Sequence, residues 1–163
     1  MDEAWFGQGV LLQEQGRWFE SIHYFRKATE LYAESGEYWS ALGAAENHVG
    51  NVVSALEAYE KATEVAPEDA QGWVSWSAIL YDQGHYAEAA DLVRHAVNLH
   101  PHEAHFQYML CAYLLADGRM REAYETLETA LMLNFEQHVL LFDYFPELRE
   151  QPGLKKLIEQ FRK

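Results

Sequence analysis

The sequence has one cysteine, four prolines and twelve lysines and arginines in 163 residues, and each shortage excludes something. A lone thiol, Cys111, forms no internal disulfide and leaves neither a secreted cysteine framework nor a multi-thiol zinc site; a reducing compartment fits. The twelve cations face twenty-six carboxylates, a net charge of −14. Such a field repels phosphate backbones and anionic lipid, so neither nucleic acid nor a membrane surface is an expected partner. No apolar run nears the roughly 18 residues that suggest a membrane span. The opening residues, MDEAWFGQG, carry acids where a secretory leader needs bases. A cytoplasmic location is the expectation. The helical pattern also starts without a polar leader, which fits a piece cut from a longer protein that carried its own targeting region.

What the chain does have is apolar material: 49% of it is hydrophobic and 14% aromatic. A domain of this size hides roughly 70% of its unfolded surface, so a single unit spanning 1–163 is expected. The apolar residues are not scattered. Gly16, Gly50, Gly84 and Gly118 recur at a step of 34, and so do Ala28, Ala62, Ala96 and Ala130. Trp5, Trp39 and Trp73 keep the same step, as do Pro67 and Pro101.

Within each copy, two apolar-periodic stretches flank the glycine, which reads as a helical hairpin with the glycine ending the first helix in a left-handed turn. In the second helix Ala55, Ala62, Ala89, Ala96, Ala123 and Ala130 are small enough to let backbones approach. Phe25, Tyr59, Val93 and Leu127 fill the space between neighbours. The prolines cannot extend the preceding helix and mark the junction to the next hairpin. The copies run over about 2–35, 36–69, 70–103 and 104–137.

Trp39, Leu42, Gly43, Ala55, Tyr59, Ala62 and Pro67 stand in the order Trp-x2-Leu-Gly, Ala-x3-aromatic, Ala, Pro, and this resembles the tetratricopeptide repeat. Glu46 departs from it, in a slot that usually holds Tyr. The outer copies are looser: Gln8 and Ser21 in the first, Trp76 and Ser77 in the third, Gln107 and Phe135 in the fourth do not match. The resemblance covers about residues 2–135. It implies an all-α fold, a right-handed superhelical solenoid of antiparallel helix pairs whose first helices line a concave side. Four full repeats would be followed by a partial repeat at HVLLFDYF and a capping helix, within 138–163. In that last helix Leu154, Leu157, Ile158 and Phe161 recur at helical spacing, with Lys155, Lys156, Arg162 and Lys163 between them. It either caps the stack or docks a partner.

With the core positions set aside, the first helices leave Phe6, Val10, Gln13 and Glu14, then Glu37, Ser40, Ala44, Asn47 and His48, for a groove. Further along come Gln71, Val74, Ala78, Tyr81 and Asp82, then His105, Tyr108, Ala112 and Leu115, then Val139 and Phe142. Aromatic side chains in a concave strip anchor a peptide at small rotamer cost. The alternative is that Tyr81, Tyr108 and Phe142 pack against adjacent helices or a returning C-terminal helix. Some members of the family grip a chaperone's C-terminal carboxylate with a clamp of Lys, Asn and Arg. The matching slots here hold Phe6, Val10, Ala41, Gln71 and Ser75, so no cationic clamp is present, and a partner with basic and apolar residues is the better match.

No reactive motif emerges. His100-Pro101-His102-Glu103-Ala104-His105 puts metal-ligand types close together, but on a junction where polar residues are expected anyway. Cys111 sits in a small-residue slot as a compact filler. Glu46 reads as a hydrogen-bonded structural carboxylate. Glycine-rich phosphate loops, GxSxG and HExxH are absent from the sequence. The expected function is a non-catalytic scaffold, adaptor or chaperone that holds a segment of another protein, without cofactor or metal. Small acidic bacterial secretion chaperones resemble it at the level of fold. A self-associating protein that stacks through its end faces, or a non-catalytic fragment of a larger protein, is the alternative.

Overall fold

The computed structural model describes residues 1–162; Lys163, grouped above with the basic positions of the last helix, lies outside the described residues. Among the described residues there are ten α-helices and two short 3-10 turns, and no strand. The helices are α1 (Asp2–Glu14), α2 (Trp18–Leu31), α3 (Gly36–His48), α4 (Val52–Val65) and α5 (Ala70–Asp82). They continue with α6 (Tyr86–Leu99), α7 (Ala104–Ala116), α8 (Met120–Leu133), α9 (His138–Tyr144) and α10 (Pro152–Phe161). First helices begin at residues 2, 36, 70, 104 and 138, and second helices at 18, 52, 86 and 120, so the 34-residue step governs the helices themselves. None is long and apolar enough to cross a membrane, among the described residues. The chain forms two compact units, Met1–Ile79 and Leu80–Lys163, with the division inside α5.

Each hairpin turn is built alike. Gly16, Gly50, Gly84 and Gly118 have φ of 76°, 89°, 83° and 79°, a left-handed conformation that glycine takes without a Cβ penalty. The next residue then returns an amide to a carbonyl five positions back: Arg17 to Leu12 (2.8 Å), Asn51 to Glu46 (2.8 Å), His85 to Leu80 (2.9 Å) and Arg119 to Leu114 (2.9 Å). This satisfies a carbonyl the helix end would otherwise strand.

In the first unit the hairpins close around two rings. Phe25 is wholly buried, and a Cβ on Gly9 would lie 2.6 Å from it. Likewise a Cβ on Gly43 would lie 2.9 Å from the Tyr59 ring. Ile22, Leu42, Ala45 and Ala58 complete the cluster around Phe25, with Phe6, Val10, Trp18 and Trp39 against it. The tryptophans also tie down the loops before their own helices: Trp39 Nε1 donates to Ala33 O at 2.7 Å and Trp73 Nε1 to Pro67 O at 2.9 Å. Trp5, in the same slot of the first copy, packs instead on His23 and Tyr24.

The second unit is organised around α7, in which every residue from Tyr108 to Leu115 is buried. A helix apolar on all sides must be covered on all sides. It packs against α6, α8 and α9. After α9 the chain makes a 3-10 turn over Pro146–Glu150, and α10 then lies against α8 with Leu154 and Ile158 buried. Gly153 permits this approach, since a Cβ there would lie 2.3 Å from the Tyr124 hydroxyl.

Gly43→Ala is expected to lower the urea midpoint by the equivalent of about 1–3 kcal/mol, because the added methyl meets the Tyr59 ring. Gly7→Ala, in the same kind of helix but with nothing within 4 Å of its Cβ, is expected to raise it by up to about 1 kcal/mol. Equal effects at the two sites would contradict this account of the close approach.

Candidate partner-binding surface

The residues expected to line a groove separate into interior and open positions. In the first unit Phe6 stacks on Tyr38 with ring centroids 4.6 Å apart and lies 5.6 Å from Phe25. Val10 packs on the same cluster, and Val74 is buried, so these three serve mainly as core. Gln13, Ser40, Ala44 and Ala78 are half-buried, while Glu37, Asn47, His48 and Gln71 are exposed. The His48 ring stacks on Trp18 at 4.1 Å, which fixes its plane. Ser40 presents a buried Oγ without a hydrogen-bond partner in the chain.

In the second unit the same register is largely consumed by the chain itself. Tyr108, Ala112 and Leu115, expected to face a partner, are buried. His105, Tyr108 and Met109 of α7 meet Leu140, Leu141 and Tyr144 of α9, and Tyr108 Oη donates to Asn134 O at 2.9 Å. Tyr81 is half-buried: it stacks on Tyr113 at 4.8 Å, meets the edge of Phe145 at 5.2 Å, and donates from Oη to Glu147 Oε1 at 2.8 Å. Burial, with the Glu147 carboxylate next, holds the Tyr81 phenol above the ordinary tyrosine range. Burial does the same for Tyr108. Phe142 is half-buried and Val139 exposed. The packing alternative therefore describes Tyr81 and Tyr108, but the covering segment is α9 and the turn after it rather than α10. Pro146 and Pro152, which bracket that turn, were the available signal.

Opposite readings of polar residues also resolve. Glu46 is 1% exposed and accepts hydrogen bonds from Arg26 Nη2 and, at 2.8 Å, from Asn51 Nδ2. Where the repeat usually has a tyrosine, a carboxylate here joins α2, α3 and the turn after it. The second unit has a related tie, Arg94 Nη2 to Glu122 Oε2 at 2.8 Å, with Arg119 on the same carboxylate. These pairs border shallow clefts of about 380 Å³ beside Leu42 and about 460 Å³ beside Leu110. Arg26 and Arg94, Leu42 and Leu110, Glu57 and Glu125 hold equivalent places in the two clefts, two repeat steps apart.

Cys111 is fully buried, and burial pushes its thiol up to about 12, which leaves no appreciable thiolate near neutrality. His105 lies against the Phe106 and Tyr144 rings. Among the described residues no three His, Cys, Asp or Glu side chains come together as a metal site.

These hairpins define a helical-repeat scaffold. Patterns of the tetratricopeptide repeat match residues 3–72 and 80–139, and the chain belongs to that family. Such repeats are generally non-catalytic and act as protein–protein interaction scaffolds. Among curated proteins none has a matching sequence. Similar solved structures include MamA, 17% identical over 94% of this chain and 89% of that one, with a TM-score of 0.77. MamA from Desulfovibrio magneticus RS-1, from residue 41 to the end, is 15% identical over 98% and 92%, also at 0.77. Pseudomonas aeruginosa pilF is 22% identical over 99% and 77%, at 0.69. At these identities the likeness is one of fold.

Arg26→Met strands the buried Glu46 carboxylate with Asn51 alone and is expected to cost about 2 kcal/mol, read from chemical denaturation. The raised Cys111 pKa makes the fold favour the protonated thiol. Its contribution is complete below the unfolded value of 9.0 and declines as pH rises toward about 12. Accordingly, iodoacetamide at mildly alkaline pH is expected to modify Cys111 only after denaturation; rapid alkylation of the native chain would overturn this assignment.

Proposed function

We propose that the first-helix face of the unit Met1–Ile79 holds an extended or helical segment of a partner protein rich in basic and apolar residues. The observation that carries this reading is the pair of small residues Ser40 and Ala44 beside the exposed Asn47 and His48 on α3, with Ala78 at the equivalent place on α5 one repeat step on. Small side chains let a partner backbone approach. The exposed Asn47 amide then gives it something to bond.

Glu37 and the net charge of −14 favour a cationic ligand and speed its approach. In the unit Leu80–Lys163 the aromatic anchors Tyr81 and Tyr113 are engaged by Phe145 and Glu147, which supports assigning the partner to the other unit's face.

Fluorescence anisotropy with peptides of equal length and differing charge tests the reading. Peptides combining Lys or Arg with Leu or Phe are expected to bind, more weakly as salt rises, and acidic peptides are expected not to. Ala44→Arg, which fills the strip and opposes the ligand's charge, is expected to weaken binding at least about tenfold. Equal binding of basic and acidic peptides, or unchanged binding by Ala44→Arg, would refute it.

A further inference from the structure

In a stacked array each repeat touches its neighbours, so a contact that skips a repeat stands outside the repeat's own packing. The partial fifth repeat keeps to this rule through α9, which packs on α7. The chain then leaves the pattern, and Phe145 and Glu147 reach Tyr81 near the end of α5. The register does not dictate the contact: two repeat steps after Tyr81 stands Arg149, which pairs with Asp143 instead. Tyr81, Tyr113, Phe145 and Glu147 all belong to the unit Leu80–Lys163.

Tyr81 and Tyr113 stack with ring centroids 4.8 Å apart and 23° between their planes. Phe145 sets its ring edge-on to both, at 5.2 Å from Tyr81 and 5.8 Å from Tyr113. Glu147 Oε1 accepts a hydrogen bond from Tyr81 Oη at 2.8 Å. An aromatic anchor on an aromatic platform, with one oriented hydrogen bond at its rim, is a common way for a protein surface to hold a short peptide.

The segment that supplies these groups is itself weakly built. It is a 3-10 turn over Pro146–Glu150, with poorer hydrogen-bond geometry than an α-helix, and its backbone lies mainly against its chain neighbours α9 and α10. Pro146, Glu147, Arg149 and Glu150 are exposed.

We infer that the Tyr81–Tyr113 pair is a peptide-docking platform that the chain fills with its own Phe145 and Glu147. The partner it fits is a protein segment with an aromatic residue and, two positions further on, a carboxylate. Because the internal segment is tethered, it acts at an effective concentration in roughly the millimolar range, and a short free peptide does not displace it. A partner with further contacts does. The inference does not depend on the reading for Met1–Ile79, whose face takes a basic segment.

A labelled peptide with the sequence of residues 143–150, DYFPELRE, is the probe, and its binding to the full chain is read by fluorescence anisotropy. The double variant Phe145→Ala and Glu147→Ala vacates the platform and is expected to bind it at least about tenfold more tightly than the wild type does. Adding Tyr81→Ala is expected to abolish the gain, and adding Ala44→Arg to leave it. A peptide with alanine in place of its Phe and its first Glu is expected not to bind. No gain in a folded double variant, a gain that survives Tyr81→Ala, or equal binding of the alanine peptide overturns the proposal. Loss of the gain with Ala44→Arg would put the peptide on the other unit and overturn it equally. Native-state hydrogen exchange of the wild type supplies a test that needs no variant. The Leu148 and Gln151 amides, which bond to Phe145 O and Leu148 O at 3.0 and 3.1 Å, are expected to exchange at least about a hundredfold faster than those of Cys111 and Leu114 on α7. Equal protection would mean that the segment opens only with the whole unit, which overturns the proposal even if the double variant does not fold.

Discussion

The structure depends on how closely a first helix can approach the second helix of its own hairpin. In the first unit that distance is set by a glycine facing a ring: Gly9 against Phe25 and Gly43 against Tyr59, with no room for a methyl group between them. Where the small slot is enlarged to Cys111, the large slot is reduced to Leu127, and both are fully buried. Volume is traded between the two slots while the backbone geometry is kept, as expected of an interior packed to crystal-like density. With that distance fixed, both helix lengths and the left-handed glycine turn must repeat, and so the 34-residue step is preserved from Asp2 to Leu133.

That constraint explains why the fold was legible in the sequence. A slot accepting only glycine or another small residue, a slot needing a filler, and a turn needing positive φ each leave a mark at fixed spacing, and three such marks in four copies fix the register. The face of each helix was harder to read. On α3, Leu42, Ala45 and Glu46 are buried while Ser40 and Ala44 are half-buried, so periodicity separates the faces of that helix. On α7, apolar residues run through every position from Tyr108 to Leu115, so periodicity carries no information about which side is covered. The register extrapolated Tyr108, Ala112 and Leu115 onto a partner-facing side; all three are buried, and Tyr108 meets the chain's own α9. Contacts made by irregular segments were not legible at all: Glu147 reaches Tyr81 from sixty-six residues away through a turn that belongs to no repeat.

Glu46 shows how a departure from the repeat pattern can be absorbed. A tyrosine in that slot would fill volume; a carboxylate must instead be bonded, and Arg26 and Asn51 bond it from the preceding helix and the following turn. A pair of this kind contributes little net stability over a well-packed apolar group, but breaking it costs more, because the buried charge is then left with too few partners. It specifies the register of α2 against α3 more than it strengthens it.

The surplus of acid has a different standing. Exposed pairs such as Lys61 with Glu64 or Arg121 with Glu125 are each worth at most about 1 kcal/mol, and the fold needs few of them. Glu57, Glu60, Glu68 and Asp69 are exposed, and none holds a cation in the structure. Unpaired like charges at this density repel one another and lower the stability of the folded state, so nothing in the packing of the hairpins accounts for them. Their effect is external: they set a field that turns away polyanions and draws cationic surfaces toward the chain. Charge in this molecule is thus arranged chiefly for what approaches it, and the small-against-large packing of the helices for what holds it together.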